Sequence, residues 1–383
     1  MRKMMFTDCV DIVGNRVEKF EGSKKYISTG SLDCDHIDFG QVEDVTFVSR
    51  PSRANLTANS GDLLFAKMHG TKKTIILDKK SENYIYSTGF CAVRPQKSII
   101  NGRCLYHIIT SDEFLQKKDK NCSGATQKAI TNVGLEKIQI SIPEFGLQNE
   151  IADKLDAVDK ALTICYDVKE RLDKLVKSRF IEMFGDIIIN NMKWPKYIIS
   201  DISSSRLGKM LDTKQQTGNN MFPYLANFNV QWFQFEITKL NQMDFDEKDR
   251  AKFELNDGDL LVCEGGEVGR CAVWHNQVQP CYFQKALHRI RCNTALILPD
   301  YLAWWFKFHC DYNAFADIIG SKATIAHLPG VKLKKIEVTV PPVELQRKFA
   351  LFIQRVDKSK LVVDKLLKKN ELLKAALIQK YFG

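Results

Sequence analysis

The sequence repeats itself at a fixed long offset. Leu135, Ile138, Pro143, Gln148, Asp159, Phe184 and Gly185 recur 198 positions later as Leu333, Ile336, Pro341, Gln346, Asp357, Phe382 and Gly383. Each set reads as a short strand ending at proline, then a long helix that stops at Phe-Gly. A repeat of this length binds the fold more tightly than any local propensity, because one architecture must serve both copies. The match also extends beyond the helices. Tyr224-Leu225 lies 198 positions after Tyr26-Ile27, and Gly258-Asp259-Leu260-Leu261 lies 197 after Gly61-Asp62-Leu63-Leu64. Ser321 and Thr324 return to 198 against Ser123 and Thr126. Insertions of opposite sign cancel, as in two domains of one fold with divergent loops. Phe228-Asn229-Val230-Gln231-Trp232 has no counterpart in the first half.

The repeat divides the chain into a mixed α/β domain at 1–143, a helix at 144–187, a second mixed domain at 188–341 and a second helix at 342–383. In the first domain, strands are expected at 8–13 and 25–29, after the Asn59-Ser60-Gly61-Asp62 turn, at 74–77 and over 84–93. A helix is expected over 105–118, a polar loop over 126–133, and a half-buried strand where Ile138, Ile140 and Ile142 alternate. Proline at 143 and 341 stands just ahead of the long helices, where its missing N–H does least harm.

Along the first helix Ile151, Leu155, Val158, Leu162, Cys165, Leu172, Val176 and Met183 fall at spacings of about three and four, with Lys169 and Arg179 as breaks. Along the second, Phe349, Ile353, Val356, Val363, Leu367 and Leu377 do the same, broken by Lys360, Asn370 and Lys374. Each stripe needs a partner. Helices of this length, about 57 Å at 1.5 Å per residue, overhang any domain of this size. They are expected to pair antiparallel and relate the domains by a pseudo-twofold axis. The fold class is therefore α+β: two pseudo-twofold-related mixed α/β domains joined and spaced by two long antiparallel coiled-coil-like helices.

Composition narrows the setting. A hydrophobic fraction of 44% and a charged fraction of 27% are those of a globular chain. No run approaches the roughly 18–20 apolar residues that cross a bilayer. The start, Met1-Arg2-Lys3-Met4, leads into no apolar signal core. The eleven cysteines contain no Cys-x-x-Cys pair, so reduced thiols and a cytoplasmic location, without membrane contact, are expected. Net charge is +10, which permits a polyanionic partner. Its distribution is uneven: residues 148–185 carry 7 basic against 8 acidic side chains, residues 343–383 carry 10 against 4. The last helix holds much of the excess.

No catalytic constellation assembles. There is no Gly-x-x-x-x-Gly-Lys-Ser/Thr loop, no Asn/Asp-Pro-Pro-aromatic motif and no Glu-x-Lys tripeptide. The histidines at 36, 69, 107, 275, 288, 309 and 327 never fall at metal-ligand spacing with cysteine. Gly265-Gly266-Glu267-Val268-Gly269 reads as a turn after a strand, and His309-Cys310 as packing on an aromatic-rich helix. What remains is recognition. Lys67, Lys72 and Lys73 stand in a basic loop. Thr126, Gln127 and Lys128 occupy the position that Ser321, Lys322 and Thr324 share in the second copy. Arg206, Lys209 and Lys214 cluster near Gln215 and Gln216. Such groups neutralise phosphates or read base edges, and they are the candidate DNA contacts. The competing classes are a cryptic nuclease or methyltransferase and a coiled-coil protein-interaction scaffold that reads no DNA.

The runs Ser123-Gly124-Ala125-Thr126-Gln127-Lys128, Ile138-Gln139-Ile140-Ser141-Ile142-Pro143 and Gln148-Asn149-Glu150-Ile151-Ala152 resemble the junction between a target-recognition domain and its helix in type I restriction-modification specificity subunits. The second copy repeats them over 321–326, 336–341 and 346–350, and Met192-Lys193-Trp194-Pro195 fits the same pattern. It departs at Ile325-Ala326, where the first copy has Gln127-Lys128. The resemblance covers essentially the whole chain. It implies a non-catalytic subunit whose two recognition domains each read half of a bipartite double-stranded DNA target. The helices would set the gap and dock two methyltransferase subunits. Restriction subunits would join them, or a fused methyltransferase-nuclease would replace the separate enzymes. S-adenosylmethionine, ATP and Mg are implied for those partners and no cofactor for this chain.

Overall fold

A computed structural model describes residues 1–33, 35–211, 216–315 and 327–383. Contacts group the chain into two units, Met1–Val168 with Val363–Gly383, and Lys169–Val362. The division falls inside the long helices, so each unit owns a segment of both.

In the first unit the strands Val10–Val13, Phe90–Pro95, Leu63–Ala66 and Thr74–Ile76 form an antiparallel sheet in that order. Leu63–Ala66 is apolar throughout and wholly buried, as a central strand covered on both faces requires. A second sheet takes Glu43–Val45, Lys24–Ile27, Ile85–Ser87 and Ala54–Leu56, with the middle pair parallel. Arg2–Met5 pairs antiparallel with Gln139–Ile142, which seats Ile140 and Ile142 in the core.

The second unit has the same plan. Ser203–Leu207, Leu287–Cys292, Leu260–Cys263 and Cys271–Val273 repeat the first order. Asn241–Asp244, Met221–Leu225 and Tyr282–Phe283 repeat three strands of the second sheet, again with one parallel pair. Lys196–Ile198 pairs with Glu337–Thr339.

The shared turn before the central strand shows why its residues recur. Gly61 and Gly258 have φ of +87° and +83°, which glycine adopts without a Cβ clash. The next residue is a buried aspartate. Asp62 accepts the Asn59 N–H at 2.9 Å and two bonds from Arg94 at 2.7 and 3.0 Å. Asp259 accepts the Asn256 N–H at 2.8 Å and two from Arg291 at 2.7 and 2.8 Å. A buried carboxylate is tolerated because its charge is met bidentately.

Three local expectations change. The polar loop expected over 126–133 holds the strand Ala129–Ile130 and the start of a one-turn helix, Asn132–Leu135, capped by Thr131 through the Gly134 N–H at 3.2 Å. The strand expected from Asp8 is preceded by a one-turn helix, Phe6–Cys9, which buries Phe6 and Cys9. The helix expected over 105–118 is two, Gly102–Ile109 and Asp112–Lys120, because Ser111 leaves the helical register and caps the second through the Phe114 N–H at 3.1 Å.

The long helices run Phe145–Phe184 and Val343–Phe382. Each is fastened at its start by a fully buried glutamine. Gln148 accepts the Asn101 N–H at 2.8 Å and donates to the Ile99 and Pro143 carbonyls at 2.8 and 3.1 Å. Gln346 accepts the Leu298 N–H at 2.8 Å and donates to Leu296 and Pro341 at 3.0 and 2.7 Å. Within the first unit the helix segments run in opposite directions: Ile151 and Leu155 share a cluster with Phe382 and Leu377, and Lys374 pairs with Asp159 at 2.5 Å. Within the second unit Phe180 meets Phe349 with centroids 5.4 Å apart, and Lys360 pairs with Asp173 at 2.5 Å. Lys360 and Lys374, which interrupt the apolar stripe in sequence, are thus cross-helix ion partners. Of the stripe residues, Ile151, Leu155, Val158, Val176, Phe349, Val356, Val363 and Leu367 are buried, and Leu162, Leu172, Ile353 and Leu377 are half-buried.

His309 packs as the sequence indicates. Its ring lies 3.7 Å from that of Trp305, with Nδ1 2.9 Å from the Trp305 carbonyl. Burial pushes its pKa down to about 4, and burial also lowers His107 and His288. An unfolded chain takes up the His309 proton near pH ~6.5 and the folded chain only near the lowered value, so stability falls as pH drops through that window. The expected loss from His309 is on the order of 3 kcal/mol between about pH 7 and pH 4. Melting temperatures across that range should fall with acid, and less steeply in His309→Phe; an equal slope in both sinks the assignment.

Candidate nucleic-acid interface

In the first unit the central strand Leu63–Ala66 leaves the core at Lys67 and returns as Thr74–Ile76. The Ala66 N–H bonds the Lys73 carbonyl at 2.9 Å, closing the loop between them. Gly70 turns it with φ +71°. A short hairpin, Cys122–Ser123 with Ala129–Ile130, docks beside it: the Ile130 N–H donates to Lys67 O at 2.9 Å and the His69 N–H to Lys128 O at 3.0 Å. At the hairpin tip Gly124 has φ +130°, and a Cβ there would stand 2.6 Å from the Gln127 carbonyl. Only glycine fits that turn.

This docking gathers Lys67, Thr126, Gln127 and Lys128 on one surface with Met68 and His69. The tip residues are exposed. Gln127 lies 3.1 Å from the Met68 sulfur and 3.5 Å from the Arg53 guanidinium, which is also exposed. Lys67 donates to Thr88 O at 3.2 Å. The two remaining lysines of the loop are engaged elsewhere: Lys72 pairs with Asp112 at 2.9 Å, and Lys73 donates to Thr29 O at 2.9 Å. Beneath the loop lies Lys118, whose buried ammonium donates to backbone carbonyls of the loop and whose pKa burial lowers. Sequence reasoning missed Arg53 and Lys118. The signal for Lys118 was its place four residues after Phe114 on the apolar face of its helix.

In the second unit His327 and Leu328 dock on the corresponding loop, with other chemistry. Cys263 N–H bonds Arg270 O at 2.8 Å, and Leu328 N–H bonds Glu264 O at 2.8 Å. The loop between is the glycine-rich stretch, a strand-to-strand connection as its sequence indicates. It carries Glu264 and Glu267 where the first loop carries Lys67 and Gly70. Glu267 accepts from Trp232 Nε1 at 2.6 Å and pairs with Arg270 at 3.1 Å. His327 is exposed and bridges Gly265. Arg206 is exposed on its strand opposite Arg289. Lys209 is anchored inside the unit, on Asp249 at 2.6 Å and Asp244 O at 2.5 Å. Asp244 is itself held below the usual carboxylate range by the Gly218 and Asn220 N–H groups. Lys214, Ser321, Lys322 and Thr324 lie outside the described residues. No helix among the described residues is long and apolar enough to cross a membrane.

The family model for the type I restriction modification DNA specificity domain matches residues 17–173 and again 191–374. A putative type I restriction enzyme specificity subunit of Haemophilus influenzae is 22% identical over 68% of this chain, and the match spans 66% of that relative's length. The EcoKI specificity subunit of Escherichia coli is 24% identical over 84% of this chain and 74% of its own. Among solved structures, the type I restriction-modification S subunit from M. genitalium superposes with a TM-score of 0.61 over all of this chain and 96% of that one, at 14% identity. Two matched copies, covering most of the sequence and coinciding with two like-folded units, carry the assignment: the chain belongs to the type I restriction modification DNA specificity family.

Proposed function

We propose that this chain is the sequence-reading subunit of a type I restriction-modification complex, each unit reading one half of a bipartite double-stranded DNA target. One observation carries the reading. The scaffold is used twice with its anchors intact, Gln148 and Gln346, while the loops on it diverge from Lys67-Met68-His69-Gly70 to Glu264-Gly265-Gly266-Glu267. Shared anchoring with unlike surfaces is what two readers of different half-sites need. Lysine and arginine neutralise phosphates, and carboxylates accept from base amino groups.

In this reading the long helices form an antiparallel, coiled-coil-like spacer about a pseudo-twofold axis, and their length sets the unread gap. Forty residues span about 60 Å, and half-sites on one side of the duplex stand about one helical turn, ~34 Å, apart. Overlap of the helices reconciles the two lengths. Outward-facing Ile164, Tyr166, Leu372 and Leu373 offer apolar surface for methyltransferase subunits. S-adenosylmethionine, ATP and Mg belong to the partner enzymes, and this chain contributes no catalytic group.

Exchanging residues 188–341 for the corresponding domain of a relative, in a host that carries the methyltransferase partner, should replace one half-site and leave the other and the gap intact. Genome-wide methylation mapping reads the result. Changes within both half-sites, or no change, would overturn the assignment of one reader to one half-site. Methylation by the chain without partners would instead favour an enzyme.

A further inference from the structure

Lys118 is a costly choice for its position. Helix Asp112–Lys120 buries one face through Phe114 and Lys118, each 2% exposed. Burying an ammonium costs several kcal/mol unless hydrogen bonds replace its water, and methionine would fill the space without that cost. An ammonium has three donors and no acceptor. Here the acceptors are Met68 O at 2.8 Å, Thr71 O at 2.9 Å and Ala66 O at 3.3 Å. All belong to the turn that carries Met68 and His69. The neighbouring Asp119 grips the same turn from its amide side, accepting the Gly70 N–H at 3.0 Å, and stands 3.6 Å from the Lys118 ammonium. Two adjacent side chains therefore fix three carbonyls and one N–H of a loop whose outer face meets the 124–128 hairpin tip.

The equivalent loop of the second unit is held by other means. Phe315 packs against Gly269, where a Cβ would stand 3.0 Å from its ring, and Arg270 ties Glu267 to the Asn227 carbonyl.

We propose that Lys118 is a positioning residue for one DNA half-site: its ammonium holds the Ala66–Thr71 turn in the shape that lets that turn and the adjoining hairpin tip engage DNA. The proposal rests on the reading of this surface as a nucleic-acid interface. Lys118 touches no base or phosphate itself. It acts through backbone carbonyls that an apolar side chain cannot hold.

The test uses the full chain assembled with its methyltransferase partner. The half-site read by the first unit is the one that changes when residues 1–143 are exchanged. Methylation is then scored on two DNA libraries, one randomised in each half-site. Lys118→Met should lower the preference for the correct sequence at the first half-site at least tenfold and leave the second unchanged. Asp119→Asn, which weakens the Gly70 contact and removes the carboxylate charge beside the Lys118 ammonium while leaving that ammonium's carbonyl bonds in place, should shift the same half-site by a smaller factor and serves where Lys118→Met does not assemble. An unchanged first half-site in a folded variant, or equal loss at both half-sites with a lowered melting temperature, overturns the proposal. Gln127→Ala combined with Lys128→Ala separates the two ideas. If that pair alters the first half-site while the Lys118 and Asp119 variants do not, only the role of Lys118 falls. If all are silent, the interface assignment falls too.

Discussion

Phe180→Ala is expected to destabilise the second unit by about 3–5 kcal/mol, the usual cost of removing a fully buried aromatic side chain. Phe180 is 0% exposed and sits at the centre of five rings: Phe184, Tyr301, Trp304, Phe308 and Phe349, with centroids between 5.0 and 5.9 Å. Three surfaces meet on it, from the first long helix, the second long helix and helix Pro299–Asp311. A hole there cannot be filled by movement of one side chain. Denaturant unfolding should show a lower midpoint with the slope preserved. A loss below about 1 kcal/mol would mean that the cluster collapses around alanine, contrary to the packing described.

Gln346→Leu should cost on the order of 3 kcal/mol, although leucine is the more hydrophobic residue. The substitution removes three hydrogen bonds and leaves the Leu298 N–H and two carbonyls facing an apolar side chain. Each unmet buried group costs roughly 1–3 kcal/mol, partly recovered where water can enter. Gln148→Leu should have a similar effect in the first unit, where the same three kinds of group are met. The comparison that decides is Gln346→Leu against Val343→Ala at the same helix start. Equal small losses would show that the glutamine is not the fastening.

These two residues also show how far the sequence could be read. Gln148 and Gln346 stood out as landmarks of the repeat, but nothing in their spacing said that they were buried or what they bonded. Two of the three partners of each lie 47 to 50 residues away, a distance that local pattern does not reach. The helices and their stripe were legible because burial imposes a period on a regular element. Lys360 and Lys374 read as interruptions, since their acceptors Asp173 and Asp159 lie on the other helix. The candidate interface was half legible. Lys67, Gln127 and Lys128 are neighbours in the fold because a hairpin docks on a loop, and their residue types hinted at it. Lys209 looked like its equal, yet Asp249 and the Asp244 carbonyl hold it inside the unit. A lysine in sequence reads as a free charge, and only tertiary partners separate a surface cation from a fastening one.

The first unit draws its last core residues from the far end of the chain. Phe382, 3% exposed, shares a cluster with Phe6, Ile151 and Leu155. On a ribosome those partners emerge first and wait until the entire second recognition domain has been made. Domains generally fold as they are synthesised, N-terminal first, but here the first unit lacks part of its core until Leu377 and Phe382 have been made. Release of a chain stalled before Leu377 would therefore leave the first unit's core incomplete even though every residue of its own sheets is present.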